Sequence, residues 1–385
     1  MNFNGNILVI GRDPLLFTEG SESIERARRY AQKVGEYHII SFSRRGVRAR
    51  SYDGKLFVWP TNSYSPLFWI FDAIRLACRI VQTRAITLID AQDPFESGAV
   101  AWIIARMYTL SFRLQVHTDI VSPWYRRASW KERIRYHSAR FLVPRADCLR
   151  VVSERIRKSL VRVWNIPQER IAVLPIFTDL AAYLGVPHPL PRNGTAPAAI
   201  SFVSIGRLVD KEKNYSMLID VMHDLVQVVP NAKFTIIGEG PDRRRLRRLI
   251  SARGLDRHVI LEGWRTDLPT YLSHFDCFLL SSWYEGWGRV VLEAMAAGLA
   301  IVMTDVGLAG EVVEDGENGI VVPVGDRKKF FESLLALCRD SSSLMHLREN
   351  ARKTAIRLNT SNWDLYADAY SALLRSCVQK PEHTR

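Results

Sequence analysis

Short, nearly continuous apolar runs alternate along the chain with segments whose apolar residues recur every three or four positions. Asn6–Gly11 (NILVIG), Tyr37–Phe42, Ile86–Asp90 and Arg113–His117 predict strands, and Ser21–Val34 and Ala99–Met107 predict helices. Strands apolar at almost every position are buried on both faces, which a parallel sheet covered by helices provides. Residues 184–198 (LGVPHPLPRNGTAPA) break the rhythm with prolines and glycines and read as a linker. The rhythm then restarts, with strands expected at Ala199–Ile205, Lys233–Ile237, His258–Leu261, Asp276–Leu280 and Ala300–Thr304. Helices are expected at Tyr215–Val228, Asp242–Arg253, Val290–Ala297 and Trp363–Cys377. The expected class is α/β, with open domains at 1–183 and 199–360 facing across a cleft and a closing segment at 361–385. Ligands of such sheets bind outside the carboxyl ends of the strands.

A chain of 385 residues that is 47% hydrophobic has room for two full cores. The best apolar run, SPLFWIFDAIRLACRIV from Ser65, is interrupted by Asp72, Arg75 and Arg79, which excludes a spanning helix there. The first residues, MNFNGNILVIGRD, have no basic leader and no long apolar core, so no signal peptide is expected. Five scattered cysteines predict reduced thiols in a cytosolic protein, with neither a disulfide scaffold nor zinc-ligand spacing. The net charge of +13 is uneven: residues 1–190 hold 28 Lys and Arg against 16 Asp and Glu. That surplus points to a polyanionic partner for the first half.

The most informative stretch is Tyr284–Gly298 (YEGWGRVVLEAMAAG), between two predicted strands. Glu285 falls in the strand-to-helix loop, and Gly286 and Gly288 allow close backbone approach to a ligand. The helix that follows opens with free N–H groups suited to oxygen ligands. Glu293 follows eight residues after Glu285, about 12 Å along a helix. In Ser204–Asn214 (SIGRLVDKEKN), Arg207, Lys211 and Lys213 follow a strand end, a pattern that fits a diphosphate clamp or a solvated loop. Ile237–Pro241 (IGEGP) is a third glycine-rich turn without the complete dinucleotide fingerprint. His117 closes a strand in QVHTD, and Gly20 lies in the loop after the first strand. No P-loop, nucleophile elbow or Asp-x-Asp pair is present, so protein cations rather than a metal are expected to neutralise a diphosphate.

Together and in this order, these elements resemble the GT-B glycosyltransferases of family 4, the retaining nucleotide-sugar enzymes. The resemblance also rests on QDPFESG from Gln92, PRADCLRVVSE from Pro144 and TDVGLAGEVVEDGENGIVVPVGD from Thr304. It implies a GT-B fold of two Rossmann-like domains, with the last helix crossing back to the first domain. It implies that Arg207 and Lys213 bind the donor diphosphate, that Glu285 and the backbone of Gly286, Trp287, Gly288 and Arg289 meet the donor sugar, and that Glu293 holds the ribose. Gly238 belongs to the same donor site, the nucleobase rests near Gly263 and Trp264, His117 faces the sugar, and Gly20 lies on the acceptor side. The chain departs from the family pattern at Gly20-Ser21, Gly307-Leu308 and Ala300, and Lys211 competes with Lys213 for the phosphate role.

The expected reaction moves a hexose, with retention, from a nucleotide-sugar to an acceptor hydroxyl, in cell-surface polysaccharide or glycolipid synthesis. The nucleotide-sugar is substrate, and no cofactor or metal is expected. A nucleotide-sugar epimerase on the same fold is the first alternative. A basic nucleic-acid-binding protein is the second, disfavoured because the arginines sit on patterned α/β helices. Residues 121–165 carry twelve Lys and Arg against three acids. There Trp130, Ile134, His137 and Phe141 recur at helical spacing among Lys131, Arg133, Arg135 and Arg140. Ile156, Leu160 and Val163 do so among Arg155, Arg157, Lys158 and Arg162. These helices either pack into the core or dock on anionic lipid, and the expectation is a peripheral enzyme on the inner face of the cell membrane, with a lipid-linked or saccharide acceptor.

Overall fold

The computed structural model describes residues 2–187, 200–359 and 363–378. Most of the expected linker lies outside the described residues. The chain divides into two compact units. One comprises the residues up to Val121, Ser129–Pro175 and the tail helix Trp363–Val378; the other comprises Ser122–Ala128 and the segment from Ile176 to Asn359.

The first unit is built on eight strands: β1 (Asn6–Gly11), β2 (Tyr37–Ser41), β3 (Arg50–Tyr52), β4 (Leu56–Pro60), β5 (Ile86–Ala91), β6 (Ser111–Val116), β7 (Cys148–Val151) and β8 (Ile171–Val173). Their order is β3-β4-β2-β1-β5-β6-β7-β8, and all neighbours are parallel except β3 with β4. The second unit has β9 (Ser201–Ile205), β10 (Lys233–Ile237), β11 (Val259–Gly263), β12 (Cys277–Leu280), β13 (Ala300–Thr304) and β14 (Ile320–Val322). This sheet is wholly parallel, in the order β11-β10-β9-β12-β13-β14. Counted from its own first strand, that is the doubly wound order 3-2-1-4-5-6. Burial explains why these segments become strands: Phe202, Val203, Phe234, Ile236 and Leu279 are sealed from solvent beneath helices on the sheet faces.

The strand interior of the first unit is not uniformly apolar. Arg113 on β6 makes two hydrogen bonds to Asp90 on β5, of 2.9 and 2.7 Å, and both residues are buried. Gln115 donates to the same carboxylate at 2.6 Å and accepts from Arg150 of β7 at 2.7 Å. The tail helix completes the network: Tyr370 accepts from Arg113 at 2.9 Å and Tyr366 from Arg150 at 2.8 Å. Burial works against the charge on Arg113, but Asp90 more than offsets it, so its pKa is raised. Among the described residues Arg113 Nη1 has no hydrogen-bond partner, but the bonds that Tyr366 and Tyr370 complete favour one docking position for the tail helix, because undocking it would leave further buried polar groups unpaired.

The thiol expectation is corrected here. Cys148 on β7 and Cys377 on the tail helix form a disulfide, with Cα atoms 5.7 Å apart across 229 residues of sequence. Spacing along the chain carried no sign of it, because the pairing exists only once the tail helix lies on the sheet. Cys78, Cys277 and Cys338 are free.

Candidate donor site and family

In a doubly wound sheet the loops after the two central strands diverge and leave a crevice at the carboxyl edge. Here those strands are β9 and β12, and their loops carry Arg207, Lys213 and Glu285.

The β9 loop is held from below. Gly206 donates to Ile237 O at 3.0 Å, and Gly238 donates to Gly263 O at 2.7 Å, so the ends of β9, β10 and β11 lie side by side. Leu208 donates to Glu239 O at 2.9 Å and accepts from Asp242 N–H at 3.1 Å. A Cβ on Gly240 would stand 2.5 Å from Leu208 O, which is why the IGEGP turn needs glycine there. The turn thus serves as a backbone floor for the Arg207 loop. Arg207 itself is exposed and, among the described residues, forms no ion pair. Trp264, directly after Gly263, presents its indole to solvent.

Lys213 ends the short helix Asp210–Lys213 and forms an ion pair with Glu285. Glu285 also accepts from Ser282 Oγ at 2.8 Å. Of the two lysines in the loop, Lys213 is therefore the one that reaches Glu285. The two loops are further stitched together by Ser281 Oγ donating to Lys213 O at 2.7 Å and Trp283 N–H to Glu212 O at 2.8 Å. The Tyr215 phenol is buried behind them; burial, and then the Glu285 charge, raise its pKa and keep it protonated.

Beyond Glu285, Gly286 and Trp287 are buried, and Trp287 Nε1 has no hydrogen-bond partner among the described residues. Gly288, at φ +88°, turns the chain into the helix Arg289–Ala296. Glu293 is buried one turn into that helix, 3.7 Å from Arg289. Gly307 in the loop after β13 approaches so closely that a Cβ there would meet Trp287 O at 2.8 Å. A paired carboxylate, a free guanidinium and an open helix N-terminus thus converge on one crevice. That arrangement can hold an anion beside a group rich in hydroxyls.

Sequence reasoning missed one contributor. Pro123–Ala128 comes from the basic half of the chain yet packs in the second unit. Trp124 lies on Trp283 with ring centres 4.6 Å apart, and Tyr125 meets Tyr284 edge-on at 5.2 Å. The run SPWYRR carries the only signal, a pair of adjacent aromatics. In the first unit, Gly20 adopts φ +71° just before Ser21, which caps the helix Glu22–Ala31. His117 follows β6; burial, then the charges of Arg150, Arg26 and Arg113, lower its pKa to about 3, so its imidazole is neutral. Its Nδ1 has no partner among the described residues.

The two basic helices of the first half differ. On Trp130–Leu142 the predicted stripe faces outward: Trp130, Ile134, His137 and Phe141 are exposed, whereas Glu132, Tyr136, Ala139 and Leu142 are buried. On Glu154–Trp164, Ile156 and Leu160 are core residues and Val163 is exposed.

Residues 192–354 match the family model for glycosyl transferases group 1, and residues 23–176 match the glycosyl transferase 4-like domain. The chain belongs to the GT-B glycosyltransferases, family 4-like. This glycosyltransferase is 29% identical over 210 residues to the lipopolysaccharide core biosynthesis glycosyltransferase LpsE of Rhizobium meliloti. That match spans 54% of this chain and 59% of the relative's own length. Sucrose-phosphate synthase from Thermosynechococcus elongatus shares the fold, with a TM-score of 0.75 and 19% identity over 97% of this chain and 99% of its own. So does Anabaena Alr3699/HepE, solved in complex with UDP and glucose, with a TM-score of 0.71 and 20% identity over 97% of this chain and all of its own. The fold expected from the sequence is thereby established for the glycosyltransferase. Among the described residues, no helix is long and apolar enough to cross a membrane.

Proposed function

We propose that this glycosyltransferase moves a hexose, with retention, from a nucleoside-diphosphate sugar to an acceptor hydroxyl of a cell-surface saccharide or glycolipid. The observation that carries the reading is the convergence of the Arg207 loop, the Lys213–Glu285 pair and the helix opening at Arg289 on the switch point of the second sheet. When the bond between the anomeric carbon and the diphosphate breaks, negative charge grows on the leaving oxygens. Arg207, Lys213 and the helix N-terminus meet that charge, which is electrostatic catalysis by preorganised groups. The acceptor oxygen forms the new bond on the same face of the sugar, and its proton passes to the departing diphosphate. Glu285, held in place by its ion pair with Lys213, takes the sugar hydroxyls, and Glu293 holds the ribose beside Trp264. No resident metal is needed, because protein cations carry the phosphate charge.

The UDP and glucose bound by Alr3699/HepE and the lipopolysaccharide core biosynthesis that LpsE serves support a hexose donor and a cell-surface product. The exposed stripe on Trp130–Leu142 supports peripheral attachment to an anionic membrane from the inner face. Release of nucleotide from UDP-, GDP- and ADP-sugars is the deciving screen for the donor, with EDTA in a parallel arm and proton NMR of the product for anomeric configuration. Donor consumption without acceptor glycosylation, or activity abolished by EDTA and restored by magnesium, would contradict the reading.

A further inference from the structure

The segment after β4 forms a spur on the first unit that the donor site does not use. Leu67 is 90% exposed and Phe71 66%, with Tyr64 and Phe68 also facing water. A tight turn at Pro66–Phe68 starts the helix Trp69–Thr83 with these side chains outermost. A soluble surface tolerates single apolar residues, but four large ones within eight positions form a patch that marks an interaction site.

The spur is ringed by cations. Arg45 lies over the Tyr64 ring at 5.2 Å, and Arg12 over Trp69 at 4.5 Å. The Arg44 loop is tied to the same place by a β-bridge to Ser63 and by Asn62, which exchanges hydrogen bonds with Val47 at 3.1 and 2.8 Å. Arg12, Arg44, Arg45 and Arg48 are exposed and, among the described residues, none is in an ion pair. Behind Phe71, the outer stripe of the helix continues with Arg75 and Arg79. This helix packs on Glu96–Tyr108, which packs in turn on Trp130–Leu142, so the spur and the Trp130–Ile134 stripe belong to one helical layer.

We propose that the Tyr64–Phe71 spur is the element of this protein that inserts into an anionic lipid leaflet, with the surrounding arginines bound to its headgroups. The inference deepens the membrane attachment proposed above by naming the surface that makes it. Charge selects the occupant: an apolar tip within a cationic collar, with Asp72 the one acid on its helix turn, matches an interface of acyl chains under phosphate. Aromatic and arginine side chains are also the types that settle at that depth. The spur follows β4 at the carboxyl edge of the first sheet, the same edge as the Gly20 loop. Insertion there holds that loop close to a hydroxyl on a lipid-linked acceptor.

The test compares the full chain with the double variant Leu67→Glu, Phe71→Glu on vesicles of phosphatidylcholine with phosphatidylglycerol and on phosphatidylcholine alone. Co-sedimentation and donor hydrolysis are both measured. The wild type is expected to bind the anionic vesicles and the variant to bind them about tenfold more weakly or less. Hydrolysis of the soluble donor should be unchanged, and this is the arm in which the donor-site reading fails or stands independently. Leu67→Phe should retain binding. Equal binding by the double variant overturns the spur while leaving attachment through Trp130 intact. Absence of wild-type binding to anionic vesicles overturns both. A wild-type dimer that becomes a monomer on the double substitution assigns the patch to a second copy of the chain and also overturns the proposal.

Discussion

Arg207 and Lys213 are given the same chemical task, yet their surroundings predict different consequences when each is removed. Arg207 is exposed and unpaired among the described residues, so Arg207→Ala disturbs no folded contact of its charge. A surface change of this kind alters stability by about 0.5 kcal/mol at most. Lys213 is only 20% exposed, and its partner Glu285 13%. Lys213→Ala leaves that carboxylate with the Ser282 hydroxyl and the water that reaches it. Breaking a fully buried pair costs ~3–5 kcal/mol, and the partial access here reduces the expectation to about 1–2 kcal/mol. In a unit of this size that is a fall in Tm of roughly 2–8 °C. Both substitutions remove one contact to the developing diphosphate charge, for which about 3 kcal/mol, or a factor of ~100 in kcat, is the usual loss. The assay is steady-state nucleotide release with matched thermal unfolding of both variants. A normal kcat for Arg207→Ala would refute leaving-group stabilisation by this loop. An unchanged Tm for Lys213→Ala would refute the energetic weight given to its pair with Glu285.

The remaining predictions concern other parts of the molecule. Glu293→Ala should chiefly weaken donor binding, because ribose contacts persist from ground state to transition state, whereas Glu285→Ala should depress kcat more; steady-state kinetics separate them. His117 titrates near pH 3 when folded but near 6.5 when unfolded, so the unfolded chain binds the extra proton between those values. Stability is therefore whole above pH 6.5 and falls as the pH drops, by about 1 kcal/mol per unit from this group; urea titrations of His117→Asn at pH 7 and 5 should show a shallower loss than wild type. Cys148→Ser should lower the stability of the first unit by about 2–4 kcal/mol, and a reductant should do the same to wild type while leaving the variant unmoved.

The repeated strand–helix rhythm was legible in the chain because burial on both faces leaves a run such as Asn6–Gly11 or Ala300–Thr304 almost no polar positions. The short strands β3, β8 and β14 were not legible, since three residues show no periodicity. Nor was β7, whose Arg150 reads as a surface residue until Gln115 and Tyr366 are seen to pair with it. Arg207 and Glu285 stood out because they are charged groups in the loops after strands, and Glu293 because it lies one turn into the helix that follows within the same local motif.

What lay nearby in the chain could be read there, but partnerships over long separations could not. The pairing of Lys213 rather than Lys211 with Glu285 depends on β9 and β12 becoming neighbours. The seat of Trp124 and Tyr125 on Trp283 and Tyr284 brings together segments more than a hundred residues apart. The disulfide, and the docking of Tyr366 and Tyr370, required the tail helix to lie on β6 and β7. The sign of an amphipathic stripe was undecided for the same reason. Helical spacing aligns Trp130, Ile134 and Phe141 on one side, but only the neighbours of Tyr136, Ala139 and Leu142 show that the opposite side is buried. Periodicity is a property of one helix, whereas burial belongs to everything packed around it.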